Sequence, residues 1–215
     1  MGTLRIRHFI DSYKLFTAIF IIYMMIHYEQ WENRTLWAYL STHGIYCILW
    51  LHKSMSFGDK SWEEPAGPEG VMVWVVLSPF WVSPWYIAST NYEAPAWLLG
   101  LAITTFVVGM FYHFVSDMQK TTTLSLRKGL ITTGLWARTR NPNYFGEFLT
   151  YLGFSLLACH WVTFIGFAFL IFVVWIPNMK KKDASLSRYP EFEEYKNNSG
   201  IFFPRILQKN KIIKE

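Results

Sequence analysis

Six long apolar blocks divide this chain: Tyr13–Tyr28, Leu36–Leu51, Val71–Ile87, Ala96–Val115, Tyr144–Ala158 and Trp161–Ile176. In lipid every backbone polar group must be satisfied inside its own segment, so such blocks can do little but cross the bilayer as helices. Several fall short of the ~20 residues a full span needs, so their borders take in flanking aromatic and polar residues. Tyr28, Trp31, Trp37, Trp50, Trp62, Trp85, Tyr86, Trp97, Trp136 and Trp161 lie near the proposed ends, as an interfacial aromatic belt requires. Only 16% of the chain is charged, against roughly 25% in a soluble domain. A soluble all-helical core is the alternative, and the length of the apolar runs weighs against it.

Six spans make a definite statement about charge. They place the N-terminus, Lys53–Gly70, Ser116–Asn143 and the tail after Ile176 on one side of the bilayer. Of the 20 Lys and Arg residues, Arg34 alone then lies opposite. That asymmetry follows the positive-inside rule and makes the shared side the cytosol, or the matrix or stroma of an organelle. The expected fold is therefore all-α. It is a polytopic integral membrane bundle of about six transmembrane helices, with N- and C-termini on the same, basic side. Residues 1–115 form a four-span half, and residues 116–215 carry the long polar loop, two spans and a basic tail.

The net charge of +5 is mostly juxtamembrane. Lys180, Lys181, Lys182, Lys209, Lys211 and Lys214 suit anionic headgroups, at about 1 kcal/mol per cation near the surface. Membrane lipids are thus the expected partners, and nucleic acid is not expected. Cys47 and Cys159 read as small buried hydrophobes rather than a disulfide or metal pair. No cleavable signal peptide is expected, since Glu29 and Glu32 follow the first apolar run without a small-residue cleavage site. Arg5, Arg7 and His8 before that run suit an organellar import signal or a signal anchor equally. The endoplasmic reticulum and an organellar inner membrane such as the mitochondrial one both stay open.

Local signals add detail. Gly58–Gly70 holds two prolines and three glycines besides its other residues and reads as a loop. Pro79 and Pro84 should kink the third span. After Pro190, Glu191–Lys196 reads as a short amphipathic helix with Tyr189, Phe192 and Tyr195 on one stripe. The six histidines form no metal-spacing pair; His43 and His113 are the two expected to be buried.

Polar density peaks in the run from Leu130 to Gly153, between two apolar blocks. Arg138 and Arg140 follow Arg127 and Lys128 by about ten residues, and arginine forks match phosphate geometry. Pro142 pre-sets a helix start whose first N–H groups could face an anion. Asn143 could cap that helix, and Glu147 lies four residues on along the same face. Gly146 and Gly153 permit close approach. A positive-inside anchor with an ordinary capped helix would use the same residues, so spacing alone leaves both readings open.

Blocks of this sequence resemble the C-terminal domain of steroid 5-alpha-reductases and related membrane proteins. They are Ser116–Lys120, Thr133–Trp136, Arg140–Glu147, Ile176–Met179, Arg188–Pro190, Glu194–Tyr195 and Phe202–Pro204. The resemblance covers roughly the last hundred residues, in order and with its spacing kept. The same superfamily takes in sterol C14 reductases and, more distantly, isoprenylcysteine and phospholipid methyltransferases. It implies an NADPH site on the basic side, with contacts from Asp117, Arg138 or Arg140, Asn143, Tyr144, Glu147 and Tyr195, and with Asn141 inside the same run. Two departures stand out. Asn141 sits where the family pattern has histidine, which removes an imidazolium and its acid/base capacity. The first half of the chain also shows no clear acid for a substrate carbonyl; Tyr39, Tyr46, Tyr86, Glu93 and Tyr112 qualify by chemistry alone.

Three functions follow as expectations. The first is an NADPH-dependent reductase of a lipid-soluble enone or alkene, such as a sterol or acyl compound. The second is a catalytically idle accessory subunit of a larger membrane complex, suggested by Asn141 and the missing acid. The third is an S-adenosylmethionine-dependent methyltransferase of a lipid or prenyl-cysteine. Such methyltransferases tend to carry a Glu-Glu pair after the last span, where this chain has Lys182-Asp183.

Overall fold

A computed structural model describes residues 4–206, so Lys209, Lys211 and Lys214 of the basic tail lie outside the described residues. Within them the chain is all-helical, without a strand. Its α-helices are α1 (Ile6–His27), α2 (Arg34–Phe57), α3 (Pro68–Leu77), α4 (Val82–Thr90), α5 (Ala96–Leu126), α6 (Pro142–Ala158), α7 (Trp161–Phe169), α8 (Ile176–Leu186) and α9 (Phe192–Asn198).

Four helical segments are long and apolar enough to cross a membrane: Ile6–His27, Gly70–Thr90, Ala96–Leu126 and Trp161–Leu186. Their outward faces are apolar too. Leu15, Ile19, Ile22 and Ile26 stand exposed along one side of α1, and Trp161, Ile165, Phe169 and Phe172 along the last segment. That inside-out pattern suits lipid rather than water. The other two apolar blocks are helices that fall short for different reasons. Helix α2 runs 24 residues but carries Ser41, Thr42, His43, His52 and Lys53. Helix α6 has 17 residues, roughly 25 Å at 1.5 Å per residue, against a hydrocarbon core of about 30 Å.

Several helices outrun their apolar blocks, because a helix need not stop where lipid does. Helix α5 continues through Leu126, so the first third of the expected loop 116–143 is helical and carries Asp117, Gln119 and Lys120. Pro79 has the expected effect: Ser78–Trp81 tightens into a 3₁₀ turn between α3 and α4. Within the last segment, residues Leu170–Trp175 form a π-helical stretch. Cys47 is buried as expected, but Cys159 is exposed, because it ends α6 in a left-handed conformation (φ 46°).

The described chain forms two compact units. One comprises the described residues up to Phe106 with Tyr151–Ala168, the other Val107–Thr150 with the described residues from Phe169 on. In the first, α1 and α2 pack side by side and the start of α1 is held by ion pairs from Arg5 and Arg7 to Glu63. Tyr13 donates to the Leu77 carbonyl at 2.5 Å and stacks on Trp81. Asn33 caps α2, accepting from the Leu36 N–H at 2.9 Å. In the second unit, α5 and α6 meet backbone to backbone. A Cβ on Gly146 would fall 2.7 Å from the Cα of His113 and collide with its backbone nitrogen. Gly109 faces the backbone of Thr150 in the same way.

Candidate functional site

The polar run folds as a short irregular segment hung between α5 and α6, all within the second unit. Gly134 allows the entry by taking φ 59°. Gln119 of α5 then fixes the turn Gly134–Ala137, donating to the Thr133 carbonyl (2.9 Å) and accepting from the Leu135 N–H (3.2 Å). Trp136 is buried and donates to the Ser116 carbonyl at 3.1 Å. Residues 138–141 next pair with the tail. The Arg140 N–H donates to the Gly200 carbonyl (2.8 Å), the Gly200 N–H to the Arg138 carbonyl (3.0 Å), and the Thr139 hydroxyl to the Phe202 carbonyl (3.0 Å).

Arg140 organises this junction from inside. It is 5% exposed, and its Nε and Nη2 grip the Asp183 carboxylate of α8 at 3.0 and 2.8 Å. Its Nη1 donates to the Ser199 carbonyl at 2.7 Å. A charge buried this deeply needs such a paired, fully hydrogen-bonded setting. Lys182, the neighbour of Asp183, donates to the Arg140 carbonyl (2.8 Å) and to Asn141 Oδ1 (3.0 Å), with its ammonium 4.2 Å from the Trp136 ring centroid. Asn141 completes the join by donating through Nδ2 to the Ile201 carbonyl at 2.7 Å. Asparagine does here what a protonated histidine could not: it donates to a carbonyl and accepts from a lysine at once.

Tyr195 of α9 reaches the same core and donates to the Trp136 carbonyl at 2.7 Å. Burial pushes its phenol well above the usual tyrosine range, so it remains a neutral donor. Phe192 and Tyr195 of the expected stripe are buried, whereas Tyr189 is not.

The remaining expected residues stand around this junction. Asp117 is buried on α5, 3.6 Å from His113 Nε2 and 3.9 Å from the Lys120 ammonium. Lys182 feels both Asp117 and Lys120 electrostatically. Arg138 is exposed at the rim and donates to the Ile206 carbonyl at 3.1 Å. Tyr144 packs near Trp175, with ring centroids 6.0 Å apart. Glu147 lies one turn further along α6, half-buried.

Asn143 is not the cap of α6, because the helix already starts at Pro142, whose missing N–H costs nothing in the first turn. Its Oδ1 is instead buried and accepts no hydrogen bond from any described residue. A buried acceptor without a donor is uncommon and calls for an explanation.

Sequence reasoning missed Lys182, Asp183 and Ser199 as parts of this network. The signal that could have found them is the Lys182-Asp183 pair, nearly two helical turns beyond the apolar block that ends at Ile176. Among the described residues, no group of three or more His, Cys, Asp and Glu side chains is placed to share a metal ion.

The pattern of a family described as protein of unknown function (DUF1295) matches residues 68–199. The chain belongs to that family. The match takes in every element of the Arg140 junction as far as Ser199. A nickel-cobalt-cadmium resistance protein, NccN, of Alcaligenes xylosoxydans xylosoxydans is 28% identical over 114 residues. These residues make up 51% of this chain and 53% of the relative, so the chain spans about half the length of the curated relative it matches.

Proposed function

We propose that this DUF1295 protein is a membrane-embedded, NADPH-dependent reductase of a lipid-soluble enone or alkene. Six apolar segments would cross the bilayer with both termini on the basic side, which brings the Arg140 junction to that face. The single observation that carries the reading is Asn143 Oδ1, a buried acceptor at the mouth of α6 that awaits a donor such as a carboxamide or an adenine amine. Asp117 and Lys120 lie close together on α5, and Glu147 follows Asn143 one turn on along α6. Bound there, NADPH would supply hydride. Arg140, Asn141 and Tyr195 spend their donors within the chain, so in this reading they position the site, and phosphate contact falls to Lys120 and the rim residue Arg138. The sequence resemblance to steroid 5-alpha-reductases supports the same assignment.

The closed state of that network favours a second reading, an accessory subunit that keeps the fold without the chemistry. One experiment separates them. Purified protein in phosphatidylcholine nanodiscs is titrated with NADPH, following nucleotide fluorescence. The reductase reading expects saturable binding, weakened about tenfold by Asn143→Leu, in line with about 1.4 kcal/mol for one buried hydrogen bond. Glu147→Ala should weaken it as well. Absence of saturation in the unmodified protein rejects the reductase and leaves the accessory subunit.

A further inference from the structure

Helix α8 has two faces with different surroundings. Its inner side carries the buried Met179 and the Lys182-Asp183 pair that holds Arg140 and Asn141. On its outer side Lys180 and Lys181 are exposed, and neither makes a hydrogen bond or ion pair with any described residue. Phe172 and Val173, in the π-helical stretch that leads into α8, are 67% and 54% exposed. Pro177 is exposed between them and the lysines. The outward side chains thus run from apolar to cationic along one continuous helical segment.

In sequence the three lysines 180–182 look equivalent. On a helix, however, successive residues point about 100° apart, so the rotation of α8 decides which of them turn outward. The inner contacts set that rotation: they draw Lys182 to the Arg140 carbonyl and to Asn141, and leave Lys180 and Lys181 outside. Turning the helix by one residue would carry Lys181 inward and pull Lys182 off Asn141. Sequence alone groups Lys182 with the headgroup ligands; the structure reassigns it to the junction.

Charge and apolarity together select the partner. The exposed carboxylates of the same unit, Glu191, Glu193 and Glu194, lie in or beside α9, and none is within ion-pair reach of either lysine. Asp183 is taken by Arg140. Nucleic acid or an acidic peptide would satisfy the two cations and leave Phe172 and Val173 in water. A phospholipid covers both, with acyl chains against the apolar part and a phosphate at the lysines, whose stems reach along the helix to the interface. We propose that the outer face of α8 binds the headgroup of an anionic phospholipid through Lys180 and Lys181, and that this binding stabilises the Arg140 junction on the inner face. Both sets of contacts require the same rotation of α8, so each favours the other, and the coupling is reciprocal. The inference goes beyond the reductase reading and does not depend on it.

The test uses no nucleotide, so its failure and that of the NADPH site are distinguishable. The protein is placed in nanodiscs of phosphatidylcholine alone or of phosphatidylcholine with phosphatidylglycerol. Hydrogen-exchange protection is read at the Arg140 and Gly200 amides, which bond across the junction. Phosphatidylglycerol should raise that protection about tenfold, within the roughly thirtyfold that two surface cations supply together. The gain should vanish in Lys180→Gln with Lys181→Gln and persist in Lys128→Gln with Lys196→Gln, which removes two exposed charges elsewhere in the unit. In the native protein, high salt should erase it relative to phosphatidylcholine at the same salt, a measurement that needs no variant. No gain in the native protein overturns the proposal, as does a gain that survives high salt. Equal losses in the two double variants also overturn it, in favour of a response to net charge. Equal protection from inorganic phosphate in phosphatidylcholine discs overturns it in favour of a free-anion site.

Discussion

At the scale of single residues, the polar run divides into atoms already engaged and atoms still open. Arg140 and Asp183 bury 94% and 83% of their side chains, and neither charge survives there without the other. Asp183→Asn should therefore lower stability by about 3 kcal/mol, the low end for breaking a buried pair, seen as a lower midpoint of thermal denaturation in detergent. Asp183→Asn with Arg140→Met should recover part of that loss, since removing both charges also removes the stranded one. An equal or larger loss in the double variant would show that the pair acts through the backbone contacts of Arg140 instead. Lys182→Met should cost about 1–3 kcal/mol, because it strands Asn141 Oδ1 and the Arg140 carbonyl.

At the scale of elements, apolar length was legible and element ends were not. Every apolar block proved helical because a long hydrophobic run admits no other buried backbone. The ends shifted because α5 and α8 continue as polar helices, stabilised by contacts that no local pattern announces. The Arg140–Asp183 pair joins residues 43 apart, which is why the arginine read as a free phosphate ligand in sequence. Glycines report the packing more sharply. Gly146→Ala forces a methyl group into the α5 backbone at His113 and should cost well over 1 kcal/mol. Gly100→Ala, with nothing within 4 Å of its Cβ, should be neutral. Thermal midpoints of the two variants decide it; equal values would mean that α5 and α6 do not meet at Gly146. In the first unit, Glu93 accepts from Arg34 through both backbone and side chain at 3.0 and 2.8 Å. Those bonds hold its carboxyl below the usual range. Its contribution is thus present above the ordinary carboxylate pKa and lost as pH falls through the lowered one. Hydrogen-exchange protection around residues 91–95, taken relative to intrinsic rates, should fall as pH drops below the ordinary carboxylate range, and Glu93→Gln should remove that dependence.

For the whole molecule, the open question is how many helices cross. Length and composition qualify four segments, yet charge asymmetry requires six if the basic residues are to share a face. The two views diverge at Cys159. With α6 as a span, Cys159 lies opposite Arg138, which precedes that helix; with α6 lying at or within one face, the two share a side. Cys159 is exposed and Cys47 buried, so the native chain already carries one accessible reporter. In sealed vesicles, a membrane-impermeant maleimide should label Cys159 from one side only. An Arg138→Cys variant on a Cys159→Ser background should be labelled only from the other, since Arg138 is exposed just before α6. Labelling of both positions from the same side would remove α6 from the set of spans. The Arg140 junction would then lose the positive-inside argument that brings it to the face where NADPH is found.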